Sequence, residues 1–210
     1  MLLSFKRWGL PTLAALAAFA LGGWTFWRLT HGLTAFTSES WRQVQVLEHP
    51  RPLPDVTLQD QDGRLFNLHQ WCGSVLAISF IYTQCQTVCG VLGAESVRLA
   101  EQLADLITTG RLKVVAISFD PQRDDPTRLA RFQRNLYADA TTRSWVVRAP
   151  SEADTRRLLA TFGVTVIADG RGGFDHNAAF HVVDQSCRLV RIIDLQDVGS
   201  VAATVRALTQ

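Results

Sequence analysis

Residues 74–89 read SVLAISFIYTQCQTVC, an apolar run that leads into two cysteines separated by three residues. The run SVLAISFI is nearly continuous, which is typical of a strand covered on both faces of a parallel sheet. A second run of this kind, LKVVAISF, occupies residues 112–119. Residues 91–107 between the runs carry apolar side chains near helical spacing, so the sequence predicts a strand–helix–strand unit. Cys85 and Cys89 then lie in the loop after the first strand.

The flanking sequence extends this unit to a whole domain. The turn DQDG at 60–63 separates the short runs VTL and LFNL, which predicts a hairpin. The later elements are a helix from Pro126, the strand RSWVVR, a helix from Ser151, a hairpin of NAAFHVVD and RLVRIIDL around Gln185–Cys187, and a final helix VGSVAATVRAL. This order predicts an α/β, thioredoxin-like domain over residues 55–210, with a central mixed sheet and right-handed crossovers.

Two segments precede the predicted domain. Residues 8–27 carry no charge and follow Lys6 and Arg7. Their length matches the roughly 20 residues that cross a bilayer, and the preceding bases place Met1 in the cytoplasm. We expect residues 1–29 to be an uncleaved N-terminal transmembrane anchor, with a cleaved signal peptide as the alternative. Residues 30–54, which end in alternating prolines, are interpreted as a stalk. This predicts a single-pass protein of the bacterial inner membrane, with its C-terminal domain in the periplasm, where disulfides form.

Composition excludes some classes of protein. The chain has 210 residues, 47% of them hydrophobic, which suits one sizeable core. Its 21 basic and 19 acidic side chains give a net charge of only +2 without a basic block, so we expect no nucleic-acid partner. Met1 is the only methionine, which rules out a methionine-rich copper-binding arm.

The pair Cys85 and Cys89 has three possible roles: a structural disulfide, a redox couple or part of a metal site. A disulfide over so short a loop removes little unfolded-state entropy. Oxidoreductases of this fold usually place two residues between the cysteines, and a cis-proline before the facing strand. Here three residues intervene, no proline follows Pro150, and the corresponding segment offers His176. Two thiolates and an imidazole form a soft set that suits copper(I) and copper(II), with zinc as an alternative.

Three segments resemble the Sco/SenC family of copper chaperones for cytochrome c oxidase assembly. They are FIYTQCQTVCG at 80–90, SFDPQRDDP at 118–126 and FDHNAAFHVVD at 174–184. The resemblance implies one copper(I) or copper(II) ion per chain, held by Cys85, Cys89 and His176, with the two cysteines also forming a redox-active pair. It implies that Asp120, Pro121, Arg123 and Asp124 shape a neighbouring loop. Gly90, where the family has proline, indicates a divergent member.

The resemblance also implies a partner. The partner is subunit II of cytochrome c oxidase, with its binuclear copper (CuA) site, or another periplasmic copper acceptor. The oxidising compartment, rather than the resemblance, adds a protein that reduces thiols. We therefore expect a metallochaperone rather than an enzyme. The alternative is a thiol–disulfide oxidoreductase that acts on a periplasmic partner without carrying metal. A peroxidase is disfavoured, because no peroxide-activating Pro/Thr/Arg setting precedes Cys85.

Two further cysteines have a structural interpretation. Cys72 precedes the strand at 74–81, and Cys187 lies in the turn after the strand at 178–184. In a thioredoxin-like sheet these strands are antiparallel neighbours, so we predict a Cys72–Cys187 disulfide at the end opposite the site. His181 is expected to point away from the face of His176, as a half-buried or surface histidine.

Overall fold

The computed structural model describes residues 9–30, 32, 37–85, 88–136 and 144–210, with only the backbone of Leu10, Val88 and Cys89. The chain divides into two compact units, Met1–Val44 and Gln45–Gln210. The first unit contains helix α1 (Gly9–Leu29). Helix α2 (Ser38–Glu48) begins in the first unit and ends in the second.

Helix α1 coincides with the segment predicted to span a membrane, but the structure does not support this part of the prediction. Within the described ranges, no helix has both the length and the apolarity needed to cross a bilayer.

The second unit is built from alternating strands and helices. Its first half contains β1 (Arg51–Pro52), β2 (Thr57–Asp60), β3 (Leu65–Asn67), a 3-10 turn (Leu68–Trp71), β4 (Val75–Ile81), α3 (Val88–Gln102), α4 (Ala104–Thr108) and β5 (Leu112–Ser118). Its second half contains α5 (Pro126–Leu136), β6 (Trp145–Arg148), α6 (Glu152–Phe162), β7 (Val166–Ala168), β8 (Phe174–His176), β9 (Ala179–Val183), β10 (Arg188–Asp194) and α7 (Val198–Leu208).

In the described part of this unit, eight strands form one mixed sheet, in the order β1-β10-β9-β4-β5-β6-β2-β3. Strands β4, β5 and β6 are parallel, whereas β9 pairs antiparallel with β4, and β10 with β9. Strands β7 and β8 form a separate antiparallel pair, the β7–β8 hairpin. The predicted α/β architecture with a central mixed sheet is therefore confirmed.

Burial explains why the apolar runs become the central strands. Every residue of β4 is buried, because helices and loops cover both faces of the sheet. Helix α7 packs against β4, β9 and β10, and α5 packs against β6 and β2. Capping defines α6: the side chain of Ser151 accepts the backbone N–H of Asp154 at its start, and Gly163 ends it in the left-handed conformation.

Some elements differ from the sequence interpretation. Residues 30–54, interpreted as a stalk, contain α2 and β1. Val46 in α2 and Leu53 directly after β1 are buried in the core. The predicted helix over 91–107 is divided at Leu103 into α3 and α4. The glycine-rich stretch before His176 forms the β7–β8 hairpin.

Cys72 and Cys187 form a disulfide with a Cα–Cα distance of 5.3 Å, as predicted. Because β4 and β9 are antiparallel, the start of β4 meets the end of β9, and the pairing of Leu76 with Val183 sets this register. The backbone N–H of Gly73 donates to the carbonyl of Gln185 at 2.8 Å, which holds the two turns together. The disulfide therefore lies at the end of β4 opposite Cys85.

Candidate functional site

The loop that carries Cys85 begins where β4 ends. Tyr82 is buried directly after the strand, and the backbone N–H of Cys85 donates to its carbonyl at 3.2 Å. Cys85 itself is half-buried against the core. By its backbone, Cys89 is the second residue of α3, whereas its side chain lies outside the described residues. The two cysteines therefore flank the junction between the central strand and its following helix.

A buried carboxylate anchors the loop between β4 and Cys85. Asp124, fully buried in the loop between β5 and α5, accepts three hydrogen bonds. The donors are the Thr83 backbone N–H at 2.9 Å, the Thr83 hydroxyl at 2.5 Å and the Ser118 hydroxyl at 2.5 Å. These bonds satisfy the carboxylate, which would otherwise be costly to bury, and they determine where the residues before Cys85 lie.

Arg123 directly precedes Asp124 in the loop between β5 and α5, and it contacts the β7–β8 hairpin. The guanidinium of Arg123 donates to the carboxylate of Asp120 through Nε, and to the carbonyl of Gly172 at 2.5 Å through Nη1. It also lies over the ring of Phe174, 5.0 Å from the centroid. An ion pair, a hydrogen bond and a cation–π contact thus join the hairpin to the Asp120–Asp124 loop.

Tyr82 connects the hairpin to the cysteine loop. Its hydroxyl donates to the carbonyl of Phe174 at 3.4 Å and accepts the backbone N–H of the same residue at 3.3 Å. The rings of Tyr82, Phe119 and Phe174 also contact one another, with centroids 5.4 to 5.7 Å apart. Tyr82 therefore hydrogen-bonds to Cys85 through its backbone carbonyl and to the strand of His176 through its hydroxyl.

His176 has an unusual environment. Its ring packs edge-on against Phe119 at 5.0 Å, and both ring nitrogens are buried without a hydrogen-bond partner among the described residues. Burial lowers the pKa of His176, and the backbone of Asn177 and the charge of Asp175 raise it by smaller amounts. An unsatisfied buried polar group costs about 1–3 kcal/mol, so this neutral imidazole is suited to receive a ligand from outside the protein.

The predicted ligands are only partly brought together by the described atoms. Among the described side chains, no three His, Cys, Asp or Glu residues form a group that holds a metal ion. The side chain of Cys89, one of the predicted ligands, lies outside those residues. The chemistry of the set still fits a soft metal, because a half-buried thiol and a neutral imidazole with no partner among the described residues belong to adjoining segments.

His181 differs from its prediction. It is 0% exposed rather than half-buried or on the surface. It lies in β9, between β4 and β10, where both faces of the sheet are covered, whereas His176 lies in β8 of the separate hairpin. Its ring contacts Phe80 and Phe162 edge-on, and its Nδ1 lies 3.3 Å from the Ile78 carbonyl. His181 is therefore part of the core.

Sequence reasoning missed the aromatic residues around His176. Tyr82 and Phe119 each follow directly after a buried parallel strand, the position where a sheet places its functional side chains. That position was the available signal for both residues. Nothing comparable pointed to Phe174, whose role depends on contacts with Tyr82 and Arg123.

Fold and site together define the class of protein. It is a thioredoxin-like domain with a cysteine after the central strand, a second at the start of the next helix, and a half-buried histidine in an adjoining hairpin, whose ring nitrogens are buried without a partner among the described residues. The sequence profile of the SCO1/SenC family matches residues 48–210. The chain belongs to this family.

Individual relatives agree with this assignment. The chain is 25% identical over 137 residues to the SCO1 protein homolog of Bacillus subtilis (strain 168), covering 64% of this chain and 69% of the relative. Its fold is similar to that of a SCO1/SenC family lipoprotein from Bacillus anthracis str. Ames, with a TM-score of 0.68, 22% identity and coverage of 78% and 99%. It is also similar to ScoI of Bradyrhizobium japonicum, solved with copper bound, with a TM-score of 0.61, 21% identity and coverage of 75% and 99%.

Proposed function

We propose that this protein binds one copper ion as cargo through Cys85, Cys89 and His176, and transfers it to an acceptor. The observation that carries the proposal is the half-buried, neutral His176, whose two ring nitrogens are buried and have no partner among the described residues. Thiolates select copper(I), and an imidazole ligand also accommodates copper(II). The copper-bound relative supports this choice of metal.

The acceptor that we propose is the CuA site in subunit II of cytochrome c oxidase, or another soft copper site in the same compartment. The Sco family is one of cytochrome c oxidase assembly proteins, which supports this choice. Copper passes through thiolates that the two proteins share during the exchange. An oxidising compartment outside the cytoplasm, such as the periplasm, is supported by the Cys72–Cys187 disulfide.

The redox state of the cysteine pair controls loading. Oxidation removes two electrons from the thiolates of Cys85 and Cys89, joins their sulfurs and leaves no thiolate for the metal. A thiol reductant protein must then supply two electrons and two protons to restore the dithiol. The protein's own contribution is to hold His176 neutral and to fix the loop before Cys85 through Asp124.

The test is a copper titration of the full chain with Cys85 and Cys89 reduced, followed by optical spectroscopy and metal analysis. We expect one copper per chain with thiolate-to-copper charge-transfer bands, and loss of both in Cys85→Ala and Cys89→Ala. His176→Ala should weaken copper(II) binding by more than the about 10–100-fold that loss of an outer-shell partner costs. His69→Ala, which removes an exposed histidine, is the matched control. Unchanged affinity in His176→Ala would remove this histidine from the site.

A thiol–disulfide oxidoreductase without metal is the second candidate. The position of Cys89 in the first turn of α3 favours it, because a helix N-terminus stabilises a thiolate. Rapid reduction of a disulfide substrate, combined with no stoichiometric copper in the titration, would select this function over copper transfer.

A further inference from the structure

A basic pocket lies beside the cysteine loop, outside the predicted copper site. It has a volume of about 300 Å³ and is lined by the loop before Cys85 and by one face of α5. Its lining residues contain two guanidinium groups, amide and hydroxyl groups and one aromatic ring, but no carboxylate: Thr83, Gln84, Arg128, Arg131, Phe132 and Asn135. The pocket is therefore suited to an anion that also makes an apolar contact.

The charge of this pocket is not neutralised within the described part of the chain. Helix α5 carries Arg128, Arg131 and Arg134 and no acidic residue. The exposed guanidinium groups of Arg128 and Arg131 form no ion pair or hydrogen bond with the described residues, and Asp125 instead caps the backbone N–H of Arg128 at 2.9 Å. Like charges one turn apart on a helix repel each other, and an anion bound between them relieves that repulsion.

Arginines on other helices are arranged differently. The guanidinium groups of Arg98, Arg156 and Arg157 each lie within 3.4 to 3.5 Å of a carboxylate one turn away on the same helix. The arginines of α5 thus differ from these arginines of α3 and α6, each of which faces a carboxylate on its own helix. Those of α5 occur where the helix meets the cysteine loop.

The pocket adjoins the reactive end of the sheet. Gln84 lines it and is followed directly in the chain by Cys85. Thr83 lines it as well, and its two hydrogen bonds to Asp124 hold this wall in place. Whatever occupies the pocket is therefore brought within one or two residues of the first cysteine.

We propose that this pocket docks an acidic polypeptide segment of the protein that exchanges copper or thiols with Cys85 and Cys89, an inference that rests on the proposed function. Two arginines one helical turn apart match two carboxylates of a peptide, and Phe132 and Asn135 contact the chain between them. A peptide suits the volume and the mixed lining better than a single small anion does. Such charges raise the rate of association more than the final affinity.

The experiment compares two disulfide peptides as electron acceptors for the full chain with Cys85 and Cys89 reduced. One peptide carries four glutamates beside its two cysteines, and the other carries four lysines. In each exchange a protein thiolate attacks the peptide disulfide, the second protein thiolate resolves the mixed disulfide, and two electrons pass to the peptide, which leaves as a dithiol. Hydroxyethyl disulfide, which is uncharged, reports the intrinsic reactivity of the thiols.

We expect the glutamate peptide to react about tenfold faster than the lysine peptide at low salt, and the difference to vanish at high salt. The double variant Arg128→Glu/Arg131→Glu should abolish the preference without changing the reaction with hydroxyethyl disulfide. Arg134→Glu, on the same helix but outside the pocket lining, should retain most of it. Equal rates for both peptides in the wild type, or a preference that survives the double variant, would overturn the proposal.

Two further readouts separate the possible failures. A fluorescent glutamate peptide with serines in place of cysteines measures docking by anisotropy, independently of the thiols. Binding of this peptide to a chain that takes up no stoichiometric copper, and whose thiols are also inert towards hydroxyethyl disulfide, would refute the proposed function and leave the docking pocket intact. Inorganic phosphate is then added at constant ionic strength. If it displaces the peptide at equimolar concentration, the pocket is a small-anion site and the proposal of peptide docking is overturned.

Discussion

The imidazole of His176 lies where burial disfavours its charged form, and this lowers its pKa below the ordinary value of 6.5. The unfolded chain therefore takes up this proton at a higher pH than the folded chain does. As the pH falls from about 6.5 through the folded pKa, the contribution of this group makes unfolding progressively easier. Above that window both states are neutral and the contribution is constant. Neutral imidazole, the form that binds metal, thus persists to a lower pH than in an exposed histidine.

An NMR titration of the metal-free chain checks this prediction directly. The ring resonances of His176 should report a pKa below 6.5 in the folded protein and a higher value for the same residue in the urea-unfolded chain, which serves as the reference. A folded-state pKa equal to or above the unfolded value would mean that the ring is solvated or paired with an acid, and would contradict the burial that the structure describes.

Asp124 leads to a prediction about the loop before Cys85. In Asp124→Ala, the hydroxyls of Thr83 and Ser118 and the backbone N–H of Thr83 lose their acceptor. Each buried donor left unpaired costs about 1–3 kcal/mol, and partial solvent access reduces the sum, so we expect a loss of about 2–4 kcal/mol in the free energy of unfolding.

Urea denaturation of Asp124→Ala measures this loss, with Asp125→Ala as the control. The control removes the same charge from the exposed neighbouring residue, and costs only the cap on Arg128, about 1 kcal/mol. Equal destabilisation by the two substitutions would show that Asp124 does not anchor the loop.

At the scale of elements, the β7–β8 hairpin depends on Arg123. Removing this guanidinium breaks the hydrogen bond to Gly172 and the cation–π contact with Phe174, two residues before His176. We expect Arg123→Met to weaken copper(II) binding about tenfold, equivalent to about 1.4 kcal/mol, and to affect copper(I) less because that ion relies on thiolates.

Hydrogen exchange gives this prediction a readout that is independent of copper. The backbone amides of residues 166–176 should exchange faster in Arg123→Met than in the wild type, whereas amides of β4 should be unchanged. The control is Arg171→Met, which removes an exposed arginine from the same hairpin. Normal protection of the hairpin together with weakened copper binding would show that Arg123 acts on the site by another route.

Strands β4 and β5 were predictable because each is a run of seven mostly apolar residues, and a run of this length and composition is typical of a strand covered on both faces. The β7–β8 hairpin was not, since its strands have three residues each and depend on Tyr82 and Arg123, which are distant in sequence. His181 was misjudged for a related reason. Alternation implies one solvated face, but β9 lies inside the sheet and all five of its residues are buried.

At the scale of the molecule, the two cysteine pairs are separated by the length of β4. Cys72 directly precedes the turn into this strand, and Cys85 follows its other end. Cys187 is only 7% exposed, has a positive φ of 59° and occupies the last position of a three-residue hairpin turn, where glycine is usual. That conformation costs about 1–2 kcal/mol for a residue with a side chain, which the covalent bond to Cys72 offsets.

The disulfide should therefore support the fold, whereas the other pair supports the chemistry. It joins residues 115 apart in sequence, and the chain-entropy model gives about 4–5 kcal/mol for such a loop, an upper value when the unfolded chain retains structure. We expect Cys72→Ser/Cys187→Ser to lower the free energy of unfolding by up to this amount, and Cys85→Ser/Cys89→Ser to change it by less than about 1 kcal/mol. Urea denaturation measures both variants. In a redox titration with thiol mapping, Cys72 and Cys187 should be reduced only at potentials where Cys85 and Cys89 are already thiols, because Cys187 is buried and the bond closes a long loop. Reduction of the two pairs at one potential would show that the ends of β4 are not chemically separate.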